Sequence, residues 1–108
     1  MSRERQKGTG FENLILEGIK VYYPEAHRLG LQGVKDKGDV WLPSAVPYII
    51  EAKNCQRLDL AGWAQEAQRE AVNADKPFWV IAHKRRGCNT PYPQWITTTL
   101  YNFMELTK

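Results

Sequence analysis

Asp39, Glu51 and Lys53 sit within GDVWLPSAVPYIIEAKN (residues 38–54), a stretch otherwise rich in core-forming residues. Strands expected around 39–42 and 48–53, joined through Pro43 and Pro47, pair as a hairpin centred on Ala45. In that register Val40 faces Ile50 and Asp39 lies opposite Glu51. Side chains alternate along a strand and directly paired residues stand about 5 Å apart, so Asp39, Glu51 and Lys53 share one face at one end of the hairpin. Two carboxylates at that distance raise each other's pKa unless a cation lies between them. Hard oxygen donors with no neighbouring histidine or cysteine suit Mg2+ or Mn2+ better than zinc. A divalent ion, an activated water and an ammonium that can reach a reacting oxygen are what phosphodiester hydrolysis needs. A solvated salt bridge at a strand end uses the same residue types, so the trio alone leaves both readings open.

Other residues could serve such a site. In a helix expected from about Arg57 to Ala74, an apolar stripe of Leu60, Ala64, Ala67 and Ala71 places Gln68 inside the apolar arc. Gln68 is therefore a candidate for contact with the attacking water or a substrate phosphate, or for a structural hydrogen bond, with Gln65 at the stripe's edge as the other candidate. The net charge is only +3, but basic residues cluster: Arg3, Arg5 and Lys7, then Lys35 and Lys37, then Lys84, Arg85 and Arg86. Such clusters are candidate phosphate contacts and equally a solvated surface. His27, His83, Cys55 and Cys88 lack zinc-ligand spacing, and no histidine is placed to activate a cysteine. Trp41, Trp63, Trp79 and Trp95 are read as core or dimer-interface anchors rather than base-stacking platforms.

The elements that must position these residues follow from the apolar pattern. With 108 residues, 43% of them hydrophobic, the chain reads as one domain (11–108) preceded by a flexible basic arm (1–10). Phe11, Leu14, Ile15, Ile19 and Tyr22 recur at helical spacing until Pro24. A glycine-punctuated connection with room for a short strand fills residues 25–38. Asn73, Asp75 and Pro77 end the second helix, Phe78–His83 reads as a buried strand, and Trp95–Leu100 as another before a helical tail from Tyr101. The expected fold is α/β (α+β), in the order α-β-β-β-α-β-β around an α-β-β-β-α-β core, with helices flanking a central mixed sheet that includes the antiparallel hairpin. No apolar run of membrane-spanning length occurs and the N-terminus is charged, so an intracellular protein with free thiols is expected.

Arg28-x-x-Gly, then Asp36-Lys37-Gly38-Asp39-Val40, then Glu51-Ala52-Lys53 after Tyr48-Ile49-Ile50, resembles the PD-(D/E)xK nuclease superfamily, with Gly38 in place of the proline. Lys7-Gly8-Thr9-Gly10-Phe11-Glu12-Asn13-Leu14 is similar to the opening of archaeal-type Holliday junction resolvases, and short resolvase-like phage nucleases also resemble the chain. The resemblance spans residues 7–86. It implies a core of helix, three-stranded antiparallel sheet, helix and strand, with Asp39, Glu51 and the Ala52 carbonyl as metal ligands. It further implies Lys53 as the catalytic lysine, Glu12 as an accessory acid, Arg28 near the DNA backbone, and a homodimer acting on a four-way junction. Glu12 also fits a plain helix-start acid, with Glu17 as the fallback. A general DNA nuclease and a non-catalytic DNA-binding module are the alternatives.

Overall fold

The computed structural model describes residues 3–30 and 37–108, with side chains from residue 8 onward. Helix α1 (Arg3–Tyr22) is followed by strands β1 (His27–Arg28), β2 (Val40–Trp41) and β3 (Tyr48–Lys53), helix α2 (Leu60–Asn73), strands β4 (Phe78–His83) and β5 (Trp95–Thr97), and helix α3 (Leu100–Thr107). The fold is α+β. A mixed sheet of order β3-β4-β5 lies beside an antiparallel two-stranded pair, β1-β2. Among the described residues no helix is long and apolar enough to cross a membrane.

The sheet separates two apolar layers. On one face Ile50, Val80 and Ala82 meet Phe11 and Ile15 of α1, with Val40, Leu42 and Val46 closing the margin. On the other, Ile49, Trp79 and Ile81 meet Trp63, Ala67 and Ala71 of α2. The sequence FWVIAH of β4 has no alternation because β4 lies between β3 and β5 and is covered on both faces; Trp79 to His83 are all buried. β3 and β4 run parallel, from Tyr48↔Phe78 to Lys53↔His83. A parallel pair needs a crossover, and α2 provides it.

Three expectations change. First, the hairpin between 39–42 and 48–53 does not form a ladder: β2 pairs with β1 in the register His27↔Trp41, where the two rings stack 5.0 Å apart. The residue just before β2 reaches β3 through a backbone bond, from Asp39 N to Ile50 O (3.3 Å). The implied three-stranded antiparallel sheet is thus two pieces. Pro43 and Pro47 limit the ladder by removing donors next to both strands, and the Lys76 ammonium holds the intervening loop through Pro43 O (2.8 Å) and Val46 O (2.6 Å). Second, α1 begins at Arg3, inside the segment assigned to an arm. Gly8 and Gly10 each cost about 1 kcal/mol relative to alanine, which weakens a helix without breaking it. Third, α2 begins at Leu60 because Asp59 caps it, accepting from Gly62 N at 3.1 Å.

Gly38 needs its glycine. Its φ is +98°, and a Cβ there would stand 3.3 Å from Ile50 O, so the residue before Asp39 can lie against β3 only without a side chain.

Candidate active site

The end of β3 assembles the site. Ile49, Glu51 and Lys53 alternate with Ile50 and Ala52, so the residues that carry charge point toward α2, while Ile50 and Ala52 pack on the α1 side. Glu51 is 3% exposed and Glu70, on α2, is 2% exposed. Carboxylate oxygens of Glu51, Glu66 and Glu70 all lie within 4.8 Å of one another. Three acidic residues are therefore close enough to bind a metal ion.

Asp39 approaches from the free edge of β3. Its Oδ2 accepts from Ala52 N at 2.7 Å, and its own N–H donates to Ile50 O. Because the N–H and C=O of one strand residue point to the same side, the Ala52 carbonyl also lies on this edge. The Asp39 carboxyl is near enough to Glu51 and Glu12 to raise the pKa of both, and what brings it to Glu51 is the edge contact with β3 instead of hairpin pairing. Arg28 closes the outer side, donating to Glu12 Oε2 at 2.7 Å and to Asn13 Oδ1 at 3.3 Å. Lys53 Nζ donates to Glu66 Oε2 at 2.8 Å.

Electrostatics follow from this crowding. Around Glu12, Asp39, Glu51 and Glu66, the ion pairs among the described residues are Arg28 with Glu12 and Lys53 with Glu66. Burial, reinforced by the Asp39 and Glu70 carboxyls, holds Glu51 far above the usual carboxylate range. Glu12 is pushed up to about 7, mainly by burial and then by Asp39, with Arg28 pulling the other way. For Lys53 burial opposes the charge, but the Glu66, Glu51 and Asp39 carboxylates outweigh it and hold the ammonium above its ordinary pKa. Glu51 Oε2 is buried and meets no hydrogen-bond donor among the described residues. A buried carboxylate oxygen lacking a donor, set among other hard oxygens, fits a divalent cation of the Mg2+ or Mn2+ kind.

Not every predicted residue arrives. Gln68 is exposed on the far side of α2, in a shallow depression shared with Gln65 and Arg69, and does not join the acids. The apolar stripe expected through Leu60 and Ala64 is turned partly away from the face that packs on the sheet. The buried face is Trp63, Ala67, Glu70 and Ala71, and Leu60 is exposed. Glu66 and Glu70 therefore replace Gln68, and sequence reasoning missed them. Their signal was available: two acids four apart repel on a helix, and Glu70 continues the spacing of Trp63 and Ala67.

The basic candidates divide. Arg28 is bound to Glu12, and Lys37 is exposed beside the β1–β2 pair. Lys84 donates to Cys88 O and to Asn89 Oδ1, while Arg85 and Arg86 are exposed at the end of β4. Lys35 and the Lys7 side chain lie outside the described residues.

No family model, no curated protein and no solved structure matches the chain.

Proposed function

We propose that this protein is a metal-dependent DNA endonuclease of the PD-(D/E)xK type and that its substrate is branched DNA, such as a four-way junction. The observation that carries the reading is the nearness of Asp39 to Glu51 at the edge of β3, with Lys53 two residues on, beside a cluster of three carboxylates.

Asp39, Glu51 and the Ala52 carbonyl would hold a Mg2+ or Mn2+ ion, with Glu70 and Glu66 as further oxygen donors from α2. When bound, such an ion polarises the phosphate and makes a water acidic enough to attack at neutral pH. Glu66 orients the Lys53 ammonium, which stabilises charge building on the phosphate oxygens. Glu12, with a pKa of about 7, is the carboxyl able to take or give a proton near neutrality. Its ion pair with Arg28 keeps that guanidinium at the site's rim, where a DNA backbone would pass. Symmetric cutting of two opposing strands would require a second copy of the chain.

Cleavage of a labelled four-way junction and of a linear duplex of the same sequence, with Mg2+ or EDTA, tests the reading. Paired nicks in the junction are expected from wild type, and Asp39→Ala is expected to lose at least about 100- to 1000-fold in rate. Equal cutting of the duplex would leave a general nuclease. Absence of cutting in either DNA, with DNA binding retained, would leave a non-catalytic binding module and sink the catalytic reading.

A further inference from the structure

The register of the sheet carries the site beyond the acids. Lys53 pairs with His83, and His83 pairs with Trp95, so one row of residues crosses β3, β4 and β5 on the face that holds Glu51. Neighbouring strands are about 4.8 Å apart, which puts the Trp95 backbone about 10 Å from that of Lys53. His83 is fixed in this row by a 2.7 Å hydrogen bond between Nε2 and Thr97 Oγ1 and by the Trp63 ring, 5.7 Å away.

Trp95 itself is not the core anchor its residue type suggests: it is 49% exposed. The Arg85 guanidinium carbon lies 4.4 Å from the centroid of its ring. Ring and guanidinium line a groove of about 580 Å3 with His83, Lys84 and Arg86, and among the described residues no carboxylate lines it. One strand over from a cluster of acids, the sheet thus presents an open groove with Lys84, Arg85 and Arg86 along it and an aromatic surface in it. Its occupant should be a polyanion with flat apolar faces, which describes a nucleic acid strand.

We propose that Trp95, backed by Arg85, is a stacking platform for an unpaired nucleobase next to the scissile phosphate. This rests on the nuclease reading and narrows its substrate. A base inside continuous duplex has both faces covered by its neighbours, so only an unpaired nucleotide, at a branch point or in a single-stranded arm, can stack on Trp95. The preferred substrates are DNAs with such nucleotides, and Trp95 is a specificity-determining residue that the acids do not require for hydrolysis.

The test is fluorescence anisotropy in EDTA, where no cleavage interferes, with a labelled duplex carrying a single-stranded arm and a blunt duplex of the same sequence. Wild type should prefer the armed DNA. Trp95→Ala should lose about 5- to 100-fold in affinity for it, the loss of one base–aromatic stack, with blunt-duplex binding unchanged and Trp95→Phe retaining most of the preference. Equal binding of armed DNA by wild type and Trp95→Ala, or equal loss on both DNAs, overturns the platform. If Trp95→Ala loses its folded circular dichroism spectrum, tryptophan quenching by armed DNA replaces it. Quenching that disappears in Trp95→Phe supports the platform, and identical quenching in both proteins overturns it. Armed-DNA binding that depends on Trp95, without cleavage of any DNA in Mg2+ or Mn2+, would sink the nuclease reading and keep the platform. If wild type binds neither DNA, both fall.

Discussion

Ile50 and Glu51 are neighbours on β3, 6% and 3% exposed, and they face opposite sides of the same sheet. Toward α1, Ile50 joins Phe11, Ile15, Val80 and Ala82 in a layer built from apolar side chains. Toward α2, apolar and charged side chains share the layer. Ile49, Trp79, Trp63 and Ala71 pack together, while Glu51, Lys53, Glu66, Glu70 and His83 lie among and beside them. Equal burial therefore does opposite things to stability. Removing an isoleucine from water contributes about 1.5–3 kcal/mol, whereas burying a carboxylate without a donor costs free energy that only a proton or a cation can offset. The α1 face holds the molecule together firmly enough for the α2 face to carry a destabilising cluster at the ends of two parallel strands.

The largest effect expected from that contrast is at Ile50. Ile50→Ala should destabilise the fold by about 2–5 kcal/mol through lost burial and the cavity left behind, measured by urea unfolding. A loss below about 1 kcal/mol would mean that the α1 face is not the firm side.

Glu51→Gln should move stability the other way. In EDTA the uncharged amide can donate into the acid cluster, so the variant should gain about 1–3 kcal/mol and melt several degrees higher than wild type. The gain should shrink or reverse on adding Mg2+, because an ion bound only by the folded wild type stabilises it by mass action. A Glu51→Gln protein less stable than wild type in EDTA would contradict a strained, cation-seeking cluster.

A smaller effect is expected from Glu12. Its folded pKa, about 7, lies above the ordinary value of 4.5, so the folded state binds its proton more tightly than the unfolded chain does. Its contribution to stability is complete below pH 4.5 and is lost as the pH rises toward 7. Urea unfolding in EDTA across that window should show metal-free stability falling, with a shallower fall in Glu12→Gln. Identical slopes would remove Glu12 from the titrating cluster.

Much of this was legible beforehand, for identifiable reasons. The FWVIAH run announced a strand covered on both faces, and alternation along YIIEAK already put Glu51 and Lys53 on one side. Asp39 was placed next to Glu51 by a hairpin that does not form. The proximity survived because Gly38 and the Asp39 N–H to Ile50 O bond bring the two segments together at that one point. On α2 a stripe of alanines is ambiguous in phase, since small residues mark a close approach without fixing the facing angle, so the pattern points to Gln68 where the structure buries Glu70.

By itself the sequence determined which residues alternate on β3, the type and order of the longer elements, and that acids and a lysine cluster near the strand's end. These are local properties, governed by residues a few positions apart. Only the tertiary structure decided that β2 pairs with β1, that α2 contributes Glu66 and Glu70, and that Lys53, His83 and Trp95 form one row. Each of these depends on the register of segments far apart in the chain and on the rotation of a helix against a sheet, which packing of the whole core selects and no short window of sequence encodes.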